Sequence, residues 1–164
     1  MDRRGALQAR VMTNLASSFD DIPDPIRPAD QPPIRTDLDL HRFWRMVMGP
    51  LGFACRSLWI SFTDGEGRVS PALQQIDDVP RRAAYADGSA LMELLAHLRD
   101  AYADGAVAIC YSRPGRGPMS ADDRSWARAL NAAAAQFDVP LWPMRFANDS
   151  AVFVYAPDDL LQPG

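Results

Sequence analysis

The feature that most constrains the fold is an uninterrupted apolar run, Ala106 to Tyr111, with the sequence Ala-Val-Ala-Ile-Cys-Tyr. A strand that is covered on one face alternates apolar and polar side chains, whereas a strand covered on both faces is apolar throughout. The run therefore predicts a central strand with other elements packed on both sides. A chain of 164 residues is long enough for one such core and too short for two.

The segments around this run alternate between helical and extended patterns. In chain order they predict a helix opening at Thr36, a hairpin of Ser57–Phe62 and Val69–Ile76, a helix opening at Ser89, the central strand, a helix over 120–137, and short strands at 141–146 and 151–155. Pro71 predicts an edge or a bulge for the second hairpin strand. This order favours the α/β (α+β) class, a mixed β-sheet with packed helices. The residues expected to be largely buried are Trp59, Ile60, Leu94, Leu98, Ile109, Trp126 and Leu130.

The first 35 residues differ from the rest of the chain in their pattern of apolar residues and prolines. Leu7, Val11, Leu15 and Phe19 recur every four residues, which predicts a helix with one apolar stripe. Five prolines lie between residues 20 and 35, and they predict an extended arm. We therefore expect an N-terminal segment, 1–35, joined to an α/β domain, 36–164. The stripe is expected to dock either on a partner protein or on its own domain.

Composition excludes several kinds of chemistry. All 17 basic residues are arginine, so no lysine is available for a Schiff base, and the net charge of −4 opposes broad non-specific binding to nucleic acid. Cys55 and Cys110 lie in apolar stretches and are expected to be reduced thiols, which favours the cytoplasm. No apolar run approaches the roughly 20 residues that a membrane helix needs.

One segment has a recognisable spacing. The central strand ends in Tyr111-Ser112-Arg113-Pro114, and after a short loop Ser120-Ala121-Asp122-Asp123 opens the next helix. This segment resembles the zinc-binding segment of the JAB/MPN (JAMM) domain, most closely in RadC proteins, where a strand ends in His-x-His-Pro and Ser-x-x-Asp opens a helix. The resemblance covers about residues 58–158 and implies a JAB/MPN-like (cytidine-deaminase-like) core. It places Tyr111, Arg113 and Asp123 at the three metal-ligand positions.

The residues at those positions predict that the zinc chemistry is lost. Tyrosine is protonated near neutral pH, and arginine is a permanent cation without a lone pair for a metal. Ser120 and Asp123 also fit a capping box at a helix start. The resemblance therefore implies a pseudoenzyme without metal or cofactor, a non-catalytic interaction or scaffold domain for a protein partner.

The histidines and a group of arginines are the other candidate site residues. His41 and His97 lie on amphipathic helices and are interpreted as structural. The four arginines Arg113, Arg116, Arg124 and Arg128 are candidates for binding an acidic partner or an anion, and a solvated charged surface is the other interpretation. Phosphate or nucleic-acid binding through the loop of Arg113 and Arg116, with a link to DNA repair, is the alternative function.

The first prediction concerns metal content. We expect the purified chain to hold no stoichiometric zinc, because Tyr111 and Arg113 replace the lone-pair donors that a zinc site needs. Elemental analysis of the purified protein measures this directly. About one zinc per chain, lost on Asp123→Asn, would contradict the prediction.

Overall fold

The computed structural model describes residues 30–102 and 104–161, and the stripe of Leu7, Val11, Leu15 and Phe19 lies outside these residues. In this part of the chain the fold is mixed α/β, with a five-stranded sheet and three α-helices. The helices are α1 (Asp37–Met48), α2 (Tyr85–Tyr102) and α3 (Ala121–Gln136). The strands are β1 (Ser57–Thr63), β2 (Val69–Asp77), β3 (Val107–Ser112), β4 (Arg145–Ala147) and β5 (Val152–Val154), and a 3-10 turn follows at Pro157–Leu160.

The sheet has the strand order β2-β1-β3-β4-β5, with β3 in the middle. β1 pairs antiparallel with both β2 and β3, β3 pairs parallel with β4, and β4 pairs antiparallel with β5. The sheet is therefore mixed, as the sequence predicts, and α3 makes the crossover between the two parallel strands.

The central strand is buried on both faces, which confirms the prediction from its apolar run. Val107, Ile109 and Tyr111 belong to one apolar cluster with α2 and α3, while Ala108 and Cys110 belong to a second cluster with α1. All six residues of β3 are buried. The domain thus has three layers, with α1 on one face of the sheet and α2 and α3 on the other.

Helix α1 begins where the sequence predicts it. The Thr36 hydroxyl accepts a hydrogen bond from the Asp39 N–H, and the Asp39 carboxylate accepts one from the Thr36 N–H, forming a capping box. The fully buried Arg145 of β4 donates to the Asp37 carboxylate at 2.5 Å and so holds the start of α1 against the sheet. Ile34, before this cap, is also buried and donates its N–H to the Gly67 carbonyl. The packed region therefore includes the last residues of the predicted arm.

Helix α2 begins at Tyr85, so the prediction of a start at Ser89 was wrong. Gly88 lies inside the helix, where its missing side chain allows close packing, since a Cβ there would lie 2.8 Å from the Ala129 carbonyl oxygen of α3. The buried stripe of α2 is made by Met92 and Leu95, and Leu94 is 53% exposed. The expectation that Leu94 is buried was therefore also wrong.

The other predicted core residues are distributed as follows. Ile60, Ile109, Trp126 and Leu130 are at most 2% exposed, which confirms their placement, whereas Trp59 and Leu98 are half-buried. Pro71 lies in the edge strand β2, where the pairing with β1 shifts register between Ser61 and Thr63. β4 begins only at Arg145, because Pro140 and Pro143 lack the N–H that a strand ladder needs.

The second prediction tests this core. Ile109→Ala should lower the free energy of unfolding by about 2–5 kcal/mol, because it opens a cavity in the central strand. Leu94→Ala, on the exposed face of α2, should change it by no more than about 0.5 kcal/mol. Chemical denaturation of both variants measures the difference, and equal losses would contradict the layer assignment.

Candidate functional site

The candidate site lies where β3 ends and α3 begins. Tyr111 and Ser112 are the last residues of β3, and Ser120 caps α3 through a capping box with Asp123. The Asp123 N–H donates to the Ser120 hydroxyl at 3.2 Å, and the Ser120 N–H donates to the Asp123 carboxylate at 2.7 Å. The predicted capping role of these two residues is therefore confirmed.

Asp123 has a second role, because its carboxylate also pairs with Arg113. Arg113 Nε lies 2.9 Å and 3.0 Å from the two carboxylate oxygens, and Nη2 lies 3.0 Å from Oδ2. The Asp123 side chain is 2% exposed and the Arg113 side chain 13%. The hydrogen bonds that Arg113 donates to this carboxylate raise the pKa of Arg113, so this arginine stays charged. The pair is a buried, bidentate ion pair.

The same guanidinium also shapes the loop that follows β3. Arg113 Nη1 donates to the Pro114 carbonyl at 3.1 Å, and Nη2 donates to the carbonyls of Gly117 and Pro118 at 3.2 Å and 2.9 Å. The guanidinium carbon lies 5.0 Å from the centroid of the Phe146 ring, within cation–π range. All three guanidinium nitrogens of Arg113 thus donate hydrogen bonds within the domain.

The loop is also attached to the turn between β4 and β5. The Gly115 N–H donates to the Asp149 carboxylate at 2.7 Å, and the Asn148 side-chain amide donates to the Gly117 carbonyl at 3.0 Å. The Arg113 N–H donates to the Ala147 carbonyl at 3.1 Å. These bonds fix a loop that contains two glycines and two prolines.

Tyr111 lies beneath this loop and is fully buried. Its ring stacks between Trp126 and Phe146, with both centroids 6.0 Å away. Burial, helped by the negative charge of Asp123, raises the pKa of Tyr111 to about 12. The phenol is therefore neutral at physiological pH.

The three positions that the resemblance assigns to metal ligands thus come together in space, but the residues there do not fit a zinc ion. They supply a neutral phenol, a cation, and a carboxylate whose oxygens accept hydrogen bonds from Arg113 and Ser120. Among residues 30–102 and 104–161, no three His, Cys, Asp or Glu side chains are grouped so as to hold a metal.

The predicted cluster of four arginines does not form an open anion site. Arg124 Nε pairs with the Asp159 carboxylate at 2.6 Å, and Arg128 Nε donates to the Asp159 carbonyl at 2.8 Å. With Arg113 held by Asp123, three of these arginines have internal partners that replace water. Arg116 alone lies exposed, at the tip of the loop.

The two histidines do not join this site. His41 lies on α1, on the other face of the sheet, and burial lowers its pKa, helped by the charges of Arg145 and Arg45. His97 is exposed on α2, with Nδ1 2.7 Å from the Glu93 carbonyl oxygen. Both cysteines, which lie in the described part, are free thiols.

Sequence reasoning missed two arginines beside the site, Arg56 and Arg81. Arg56 precedes β1, and the antiparallel pairing of Ser57 with Ser112 brings it to the end of β3. Arg81 lies in the loop before α2 and donates to the Asp122 carboxylate at 2.7 Å. Nothing in the sequence around Arg56 marks it, because its place depends on which strands pair.

Comparison with known proteins gives no match to a family model, to a curated protein or to a solved structure. No helix in the described residues has the length and apolar character needed to cross a membrane.

The third prediction concerns the buried ion pair. Arg113→Met should lower the free energy of unfolding by about 3–5 kcal/mol, because it leaves the Asp123 carboxylate buried without its cation. Arg116→Met, three residues along the same loop, is the matched control and should change it by no more than about 0.5 kcal/mol. Urea denaturation compares the two, and similar stabilities would mean that the pair is dispensable.

Proposed function

We propose that this protein is a non-catalytic JAB/MPN-like domain that works in the cytoplasm by binding a protein partner. The observation that carries the proposal is the Arg113–Asp123 pair. By the sequence resemblance these residues correspond to two of the three zinc-ligand positions, and here the carboxylate pairs with Arg113 and caps α3. A scaffold whose metal ligands are replaced by an internal ion pair keeps its shape and its surface but has no hydrolytic centre there.

The loop of residues 113–119 is the surface that we assign to the partner. Its backbone is held by Asn148, Asp149 and Arg113, so little conformational entropy is lost when it binds. Arg116 extends from it into solvent, and arginine is among the residue types that are enriched in protein interfaces. The stripe of Leu7 to Phe19 remains a second candidate contact with a partner.

Phosphate or nucleic-acid binding through Arg113 and Arg116 remains the alternative. The internal engagement of Arg113 weighs against it, because this guanidinium donates to Asp123 and to three loop carbonyls. Of the two arginines, Arg113 and Arg116, only Arg116 then has an exposed side chain. Binding that weakens steeply between low and moderate salt would favour this alternative, since phosphate contacts depend strongly on salt.

The fourth prediction tests the loop as the partner surface. The full chain, carrying an affinity tag, is used to isolate its partner, and affinity is then measured with purified components. Arg116→Glu should weaken the complex roughly tenfold, equivalent to about 1.4 kcal/mol. The melting temperature should stay nearly unchanged, because the side chain is exposed.

The matched control is Arg42→Glu, which makes the same charge change on the exposed surface of α1, on the opposite side of the sheet. It should leave the affinity unchanged. Equal weakening by both variants would indicate a general charge effect, and no weakening by Arg116→Glu would exclude the loop as the partner surface.

A further inference from the structure

A cleft of about 190 Å³ lies beside the Arg113–Asp123 pair, between the start of β1 and the start of α3. Its walls carry three guanidinium groups, two carboxylates and one hydroxyl, from Arg56, Arg81, Arg113, Asp122, Asp123 and Ser120. The cleft therefore combines charged groups with the positive end of a 16-residue helix, a combination that favours anions.

The charges that line the cleft do not balance. Arg113 is neutralised by Asp123 in the buried pair, and Arg81 pairs with Asp122 through its Nε only, with an exposed side chain. Arg56 has no carboxylate partner among the described residues. One positive charge is thus left over, and the terminal nitrogens of Arg81 remain available as donors.

A buried donor in the wall of the cleft also lacks a partner. Arg56 Nε is inaccessible to solvent and makes no hydrogen bond with the described residues. Arg56 also lies beside the buried Tyr111, since its charge and a side-chain hydrogen bond oppose the rise in the pKa of that phenol. Buried polar groups are nearly always paired in folded proteins, so Arg56 keeps hydrogen-bonding capacity that the described residues do not use.

We propose that this cleft binds a single carboxylate, held by Arg56 and Arg81 at the start of α3. The unbalanced charge is one, which matches a monoanion. A dianionic phosphate would leave excess negative charge beside Asp122 and Asp123. Assigning the carboxylate to an acidic side chain or C-terminus of the partner rests on the proposed function, whereas the anion site itself does not.

The fifth prediction tests the site with acetate as the probe and the full chain as the protein. Acetate is titrated at constant ionic strength and pH 7, while nitrogen-15 NMR follows the Arg56 Nε–H and the amides of residues 120–123. These signals should shift saturably. Arg56→Gln should weaken binding about tenfold or more, because a charge-assisted hydrogen bond is lost. Inorganic phosphate should bind more weakly than acetate.

Three further variants keep the test independent of folding. Arg81→Gln alters an exposed side chain and should weaken acetate binding several-fold, while Asp122→Asn should strengthen it by removing a competing carboxylate. Arg116→Gln is the matched control on the neighbouring loop and should have no effect. Shifts that do not saturate, equal effects of Arg81→Gln and Arg116→Gln, or tighter binding of phosphate would each overturn the proposal. Loss of acetate binding with an intact partner complex would reject this site and leave the proposed function standing.

Discussion

The ion pair between Arg113 and Asp123 is the interaction on which this end of the sheet depends. The carboxylate caps α3 and accepts the guanidinium, and the guanidinium supports the carbonyls of the intervening loop. One pair of side chains thus joins the first residue after β3, the loop and the first turn of α3. The hydrogen bonds of this pair are directional, so they specify one arrangement of the three segments.

A buried ion pair is a means of fixing geometry more than a source of stability. Removing two charges from water costs several kcal/mol per ion, and the attraction between them repays this only when the remaining hydrogen bonds are satisfied. Here they are satisfied, because the loop carbonyls and the Ser120 N–H complete the set. The result is a fixed loop next to a charged cleft.

The sequence predicted those parts of the fold that depend on local patterns. The hairpin, the central strand, the helix start at Thr36 and the capping box at Ser120 were all predicted, because each is encoded within a few neighbouring residues. The start of α2 was predicted wrongly. Gly88 lies inside this helix, and the need for a glycine there follows only from its close approach to α3, which the sequence does not show.

The candidate site was predicted only in part, because some of its residues come together through tertiary contacts that local patterns do not encode. The spacing of Tyr111, Arg113 and Asp123 identified a strand, a loop and a helix start, and the structure brings these residues together. The sequence could not tell that Arg113 turns inward to Asp123, because that depends on the path of the loop. The sequence pattern did not indicate Arg56 as a site residue, since Arg56 reaches the site only through the pairing of β1 with β3.

The bulge around Pro71 in the edge strand β2 has a consequence for self-association. An edge strand with a regular row of free N–H and C=O groups is a template on which another chain can add a strand. Proline removes one donor from that row, and the register shift between Ser61 and Thr63 interrupts its spacing. The exposed Leu73 and Ile76 lie on this interrupted strand, so a second molecule finds no continuous ladder beside them. This edge of the sheet is therefore a poor template for the addition of a strand from another molecule.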